Sequence, residues 1–475
     1  MKSSSTSLAR HFDGSKLAVV LGVLLLQALL AFMAIFEWRL PIAIVLGAGT
    51  YLVSIRWPMV AVALLLTGRI LSTGSLSWLR IGGMNIGLFE PVLALALCVM
   101  IYHAMQRKLS VVVEFPWRNP MLLFGVWQFI GLTWAYKAGT GLQEVIAVAI
   151  ILITSSLILI FVDSEEKFIQ MMTVWVAATA LVGVLSMATS FTEVTTTGQT
   201  WEIAEQGGRE TGLGQQPNWF AMNMMFGVLT SFALAIRTKE RGYRILLVAA
   251  GLFIFFTQLR SGSRGGMYSI IIGCGVMGMG NPLLRKLMTR FFIFIALLFA
   301  VQLTVGDEAT RKAFMRIWMN LGKLWGSDVR TRNWIACWNM FTDTWGLGKG
   351  AGGYATIIGE YDWKIYSSIH RYPHGIFWGL LAHYGVIAIA LFGVMALRVR
   401  KMSAEVIRMA KGTRLEGLAW AMPATMLGYF AWSFIEFNFD DKPFWEFLAL
   451  YTALYLILKR KESEPPVEEV ESGGA

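Results

Sequence analysis

Residues 144–162 read EVIAVAIILITSSLILIFV. An apolar run of about 20 residues is what a helix needs to cross the hydrocarbon core of a bilayer. Outward from this stretch, similar runs recur at 17–36, 40–55, 55–72, 84–104, 119–136, 168–190, 217–236, 243–259, 266–280, 289–304, 374–397, 417–437 and 443–458. Two of them share the Arg56-Trp57-Pro58 break, so the expected count is about 12–14 transmembrane helices. Composition agrees. Of 475 residues, 56% are hydrophobic and 15% charged, against roughly a quarter charged in a soluble domain. The chain reads as an all-α polytopic membrane protein. Intrinsic disorder, a disulfide scaffold and a soluble enzyme are excluded.

The net charge of +11 needs no nucleic acid, because basic residues collect in cytoplasmic loops of membrane proteins. Most short-loop Lys and Arg fall on one side, which puts both termini in the cytoplasm. The three cysteines, Cys98, Cys274 and Cys337, form no CxxC pair, so neither a disulfide framework nor a metal cluster is expected. The stretch Leu17–Phe36 is longer than a signal-peptide core and ends at Glu37-Trp38-Arg39, as a retained first span would. The expected organisation is a cytoplasmic N-terminus (1–16) and a helix bundle (17–304) with an outer loop at 191–216. A long outer loop with short helices (305–373), the last three transmembrane helices (374–458) and a disordered cytoplasmic tail (459–475) follow. A loop as long as 305–373 points to function.

Basic residues on the outer side stand out. Arg260-Ser261-Gly262-Ser263-Arg264-Gly265 places two arginines at one turn between spans. They read either as snorkelling interfacial residues or as an anion site. In the second reading Gly and Ser let the backbone approach, and guanidinium forks match phosphate oxygens. Arg209 lies among glycines before Pro217-Asn218. The long loop carries Arg330, Arg332, Trp334 and Trp338. Its tryptophans read partly as belt residues and partly as flat faces for sugar rings. Gly346-Leu347-Gly348-Lys349-Gly350 only superficially resembles a P-loop, since it lacks the Gly-Lys-Ser/Thr ending. His370, His374 and His383 cluster in sequence. Pro373 and the lack of a neighbouring carboxylate argue against a metal site, whereas a general base beside outer arginines is credible.

Four segments together resemble the bacterial O-antigen ligase and O-antigen polymerase superfamily. They are Arg209…Pro217-Asn218-x-x-Ala221, Ser263-Arg264-Gly265, Arg330-x-x-x-Trp334 followed by Gly346-x-Gly348-x-Gly350, and His374-x-x-x-Trp378…Gly385. Trp345 stands where that family usually has proline, and His383 where it has Glu. The resemblance covers about 205–395. It implies a membrane glycosyltransferase of the type that uses polyprenyl-linked donors, in the bacterial inner membrane with its site facing the periplasm. The implied donor is a glycan on undecaprenyl diphosphate. The implied acceptor is lipid A core, a second lipid-linked glycan or a protein hydroxyl. Arg209, Arg264 and Arg330, with Arg260 and Arg332 as near neighbours, would hold the diphosphate. Trp334 and Trp338 would stack on sugar, His374 would act as base, and no cofactor or metal is implied. The rival reading is a transporter or flippase of lipid-linked saccharides. It needs ionisable residues deep in spans. Glu90, near a span end, is the main candidate, and the spans otherwise read as poor in charge.

Overall fold

The computed structural model describes residues 39–71, 79–81, 84–86, 89–106, 113–190, 217–280, 282–305, 311, 328–352, 354–366, 373–434, 436 and 442–463. The expected span 17–36, the loop carrying Arg209, and His370 lie outside them. The first described helices are α1 (Arg39–Arg56), α2 (Pro58–Leu71), α3 (Phe89–Met105), α4 (Arg118–Gly131), α5 (Ala138–Phe161) and α6 (Glu165–Ser190). Then follow α7 (Pro217–Arg237), α8 (Arg241–Arg260), α9 (Arg264–Gly280) and α10 (Pro282–Val305). Among the described residues beyond them are three short helices: α11 (Asp328–Thr342), α12 (Tyr354–Tyr361) and α13 (Trp363–Tyr366). The chain closes with α14 (Ile376–Ala410), α15 (Glu416–Ser433) and α16 (Lys442–Ser463).

Six of these helices are long and apolar enough to cross a membrane: α5, residues Glu165–Met187 of α6, α7, α8, α10 and α14. Among the described residues the architecture is an all-helical polytopic bundle with one local exception. The run expected to be a helix from residue 84 begins instead with a hairpin of β1 (Leu79–Ile81) and β2 (Met84–Ile86), and the helix starts at Phe89. Leu79 pairs with Ile86 and Ile81 with Met84. Gly82-Gly83 stands between them in sequence, a dipeptide suited to two-residue hairpins.

Helix α7 is buried along nearly its whole length. Small residues let its neighbours come close, the packing device of helices that gain nothing from expelling water. A Cβ added to Gly428 would lie 2.6 Å from the Ser269 carbonyl oxygen, and one on Gly266 would lie 2.6 Å from the Ala221 side chain. These approaches set the register. Ala221 meets Gly266 and Leu229 meets Gly273, so α7 and α9 run parallel. Gly428 meets Ser269 and Gly280 meets Trp420, so α15 runs antiparallel to α9. The starts of α7 and α9 and the end of α15 therefore share one end of the bundle.

Helix α14 is broken at Gly385 (φ 69°, ψ −160°). A break strands backbone groups that must find partners away from water. The glycine-rich segment 346–352 supplies them. Lys349 N donates to Ala382 O (2.8 Å), Gly350 N to His383 O (2.9 Å), and Val386 N to Gly346 O (2.9 Å). Gly346, Gly348, Gly350 and Gly352 all have positive φ, which glycine adopts without steric penalty. What looks like a phosphate loop in sequence is a strap across a helix break.

Candidate functional site

Four elements meet at the shared end of α7, α9 and α15. Asn218 comes from the first turn of α7, Arg330 from the first turn of α11, His374 from the residues before α14, and Glu436 from just beyond α15. Glu436 is the hub. Asn218 Nδ2 donates to its Oε1 at 2.7 Å. Arg330 Nη2 lies 3.6 Å from the same oxygen, and His374 Nδ1 lies 3.8 Å from Oε2. Glu436 is 1% and His374 5% exposed. Charges so shielded interact far more strongly than at a surface.

Backbone strain fixes the histidine. His374 has φ 50°, a conformation few non-glycine residues adopt. Gly375 follows at φ 138°, where a Cβ would lie 2.8 Å from Phe434 O. Trp334 Nε1 donates to His374 O at 2.6 Å, and its ring stacks on Trp378 with centroids 6.0 Å apart. Strain held by surrounding contacts of this kind concentrates at functional sites.

The Ser261–Arg264 turn lies at the same end. Ser261 Oγ donates to Gln258 O at 2.6 Å, and Ser263 Oγ accepts from Gly266 N at 3.2 Å, the bond of an N-cap serine. Arg264 is thereby the first residue of α9, half-buried. The helix register puts it level with Asn218 and with the end of α15. Arg260 is the last residue of α8, on the other side of the same turn.

Other residues take different places. Arg332 gives its fork to Asp362, with Nε 2.7 Å from Oδ2 and Nη2 2.5 Å from Oδ1. That bidentate pair ties α11 to the α12–α13 corner. Trp338 is half exposed and lies one turn beyond Trp334. Tyr354 donates to Asn333 Oδ1. Burial pushes the Tyr354 hydroxyl up, with Cys337 and Asp362 adding to it, and burial also pushes the Cys337 thiol up. Both groups therefore hold their protons at neutral pH.

No protein-family model and no curated protein matches the chain.

A second cluster centres on Glu144 in α5. Its Oε2 accepts from the Tyr384 hydroxyl and lies 4.0 Å from His383 Nδ1, while its Oε1 accepts from Gly352 N at 3.0 Å. Neither Glu436 nor Glu144 is among the residues the sequence singles out, and the spans, which read as poor in charge, hold buried acids. That expectation is corrected. Glu436 and Glu446 are each 1% exposed, and Glu90 is exposed. The available signal was an acid inside an apolar run, which is costly and usually functional. Glu436 lies within the run 417–437 and Glu446 within 443–458.

Proposed function

We propose that this chain is a membrane glycosyltransferase of the O-antigen ligase or polymerase type. It transfers a glycan from undecaprenyl diphosphate to an acceptor hydroxyl at the periplasmic face of the bacterial inner membrane. In this reading α1–α4, α9, α15 and α16 complete a bundle of about 12–14 spans, and 305–373 is the periplasmic loop. The observation that carries the reading is the buried His374–Glu436–Arg330 cluster, assembled level with Arg264.

The chemistry follows from those side chains. The acceptor oxygen attacks the anomeric carbon from the face opposite the diphosphate. A carbon–oxygen bond forms to the acceptor, the bond to the diphosphate oxygen breaks, and the anomeric centre inverts. The hydroxyl proton passes to His374. Glu436 orients the ring and stabilises the imidazolium it becomes. Undecaprenyl diphosphate leaves with its negative charge, which preorganised arginines stabilise in a water-poor site. Arg264 and Arg330 serve this role, with Arg209 and Arg260 as further contributors. Arg332 is committed to Asp362, and its part is to hold α11. Trp334 and Trp338 offer faces to sugar.

The test is transfer by purified protein from a lipid-linked donor to an acceptor, with His374→Ala as control. Transfer by that variant at the wild-type rate overturns the reading. A transporter or flippase of lipid-linked saccharides is the second reading, favoured by Glu446 buried inside α16. Movement of intact donor across a vesicle membrane without bond cleavage is its signature.

A further inference from the structure

The residues before and after Gly385 belong to two helical pieces. Ile376–Tyr384 is the short piece, and His374 stands just ahead of it. The long piece continues to Ala410. The joint is closed by three backbone hydrogen bonds to the 346–352 strap, so the strap's position sets that of the short piece.

The strap is anchored to the bundle at its other side. Gly352 N donates to Glu144 Oε1, and Trp134 Nε1 donates to Gly348 O at 3.1 Å. A Cβ on Gly350 would lie 2.6 Å from Ala135 Cα. The short piece is tied to the same carboxylate, since the Tyr384 hydroxyl donates to Glu144 Oε2 and His383 lies beside it. Trp127 Nε1 adds a bond to Tyr384 O at 2.7 Å. One carboxylate on α5 thus grips both sides of the joint, the strap through one oxygen and the short helical piece through the other.

We infer that Glu144 is a positioning residue for His374: by clamping Gly352 and Tyr384 together it fixes the short helical piece that aims the imidazole at the acceptor. This rests on the glycosyl-transfer reading for its kinetic consequence, but the mechanical claim stands apart from it. In this inference Glu144 acts through its contacts to Gly352, Tyr384 and His383, not on donor or acceptor. Its effect is transmitted through about a dozen residues of packed backbone. A misplacement of ~1 Å at a reacting group costs on the order of 10²-fold.

The experiment compares the full-length purified protein with Glu144→Ala, Glu144→Gln and Tyr384→Phe, and with the double variant Glu144→Ala/Tyr384→Phe. Two readouts need no activity. Amide hydrogen exchange in peptides covering 346–352 and 382–386 should rise in Glu144→Ala, with α7–α9 peptides unchanged. Residue-mapped modification of His374 by diethyl pyrocarbonate should accelerate. In the transfer assay, Glu144→Ala should lose ~10²-fold in kcat with donor KM little changed. Glu144→Gln, which keeps one acceptor oxygen, should recover much of that loss. The double variant should be no worse than Glu144→Ala, because the Tyr384 contribution passes through the carboxylate. Unchanged exchange and unchanged His374 reactivity in Glu144→Ala overturn the inference. So does a loosened joint that leaves kcat at the wild-type value. Wild-type protein that transfers no glycan overturns the functional reading alone, and the exchange and modification results still decide the clamp.

Discussion

Glu436 Oε2 lies 3.8 Å from His374 Nδ1, and Glu436 Oε1 takes both Asn218 and Arg330. A single buried carboxylate therefore joins the start of α7, the start of α11 and the approach to α14. It stands where it would give a protonated His374 an ion-pair partner, the role the proposed mechanism assigns to it. In Glu436→Gln the amide oxygen still accepts from Asn218, but the charge is gone. Transfer should fall by about 10²-fold or more, the lower bound of what a general base contributes, and the melting temperature should drop too, because Arg330 loses its buried counter-charge. A variant that transfers normally removes Glu436 from the mechanism.

On the proposed glycosyl-transfer reading, His374→Ala should abolish transfer and leave binding of the lipid-linked donor largely intact, because in that reading the arginines hold the diphosphate. His370→Ala and His383→Ala should be milder. Chelator should leave the wild-type rate unchanged. Donor binding and transfer are measured on the same preparations. Loss of binding together with transfer would move His374 from base to ligand contact.

The bundle was legible from sequence because apolar runs of membrane length leave few alternatives, and the described helices other than α11–α13 overlap those runs. The site was only partly legible. His374, Arg264 and Arg330 stand out as polar residues beside glycine, proline or tryptophan. Glu436 stands out only as an acid within the run 417–437; its partner is a histidine on the far side of the α14–α15 hairpin, and nothing in the spacing brings the two together. The break at Gly385 was hidden for a different reason. A lone glycine in an apolar run is compatible with a straight helix, and only the bonds from the 346–352 strap reveal the bend. Arg332 is a near neighbour of Arg330 in sequence, a candidate to take its place. Two residues of helix rotation turn it toward Asp362 instead.

The arginines should separate by effect. Arg264→Ala should lose most activity at normal membrane levels. Arg264→Lys should lose clearly too, since ammonium keeps the charge but not the fork. Arg332→Ala should act on the fold, because it breaks a partly buried bidentate pair worth about 1–3 kcal/mol. A lowered melting temperature in Arg332→Ala, and its recovery in a cycle with Asp362→Ala, check this. Wild-type turnover in Arg264→Ala would make that residue an interfacial anchor.

Sidedness can be read by thiol labelling. Trp345 is 97% exposed, on the site side of the bundle, and Glu240 is exposed between α7 and α8 at the other end. In intact cells a cysteine at 345 should react with a membrane-impermeant reagent, and one at 240 only after permeabilisation. Gly262 and Met340 are buried and are poor positions for this test. The reverse labelling pattern would place the site in the cytoplasm and remove the periplasmic reading.

Two glycines on α14 make a matched pair. Gly393 has nothing within 4 Å of an added Cβ, whereas at Gly385 the new atom would run into Gly346 O and the Leu347 backbone. Gly385 also has φ 69°, where a side chain costs on the order of 1–3 kcal/mol in strain. Relieving the clash means pushing the strap away, and three hydrogen bonds worth about 0.5–1.5 kcal/mol each go with it. Gly385→Ala should therefore lose several kcal/mol and fold poorly. Gly393→Ala should be neutral or gain about 0.5–1 kcal/mol, as expected when alanine replaces glycine inside a helix. Thermal unfolding of both variants in detergent checks the contrast. Equal stability of the two would mean that the strap does not hold the break, and the clamp built on Glu144 would fall with it.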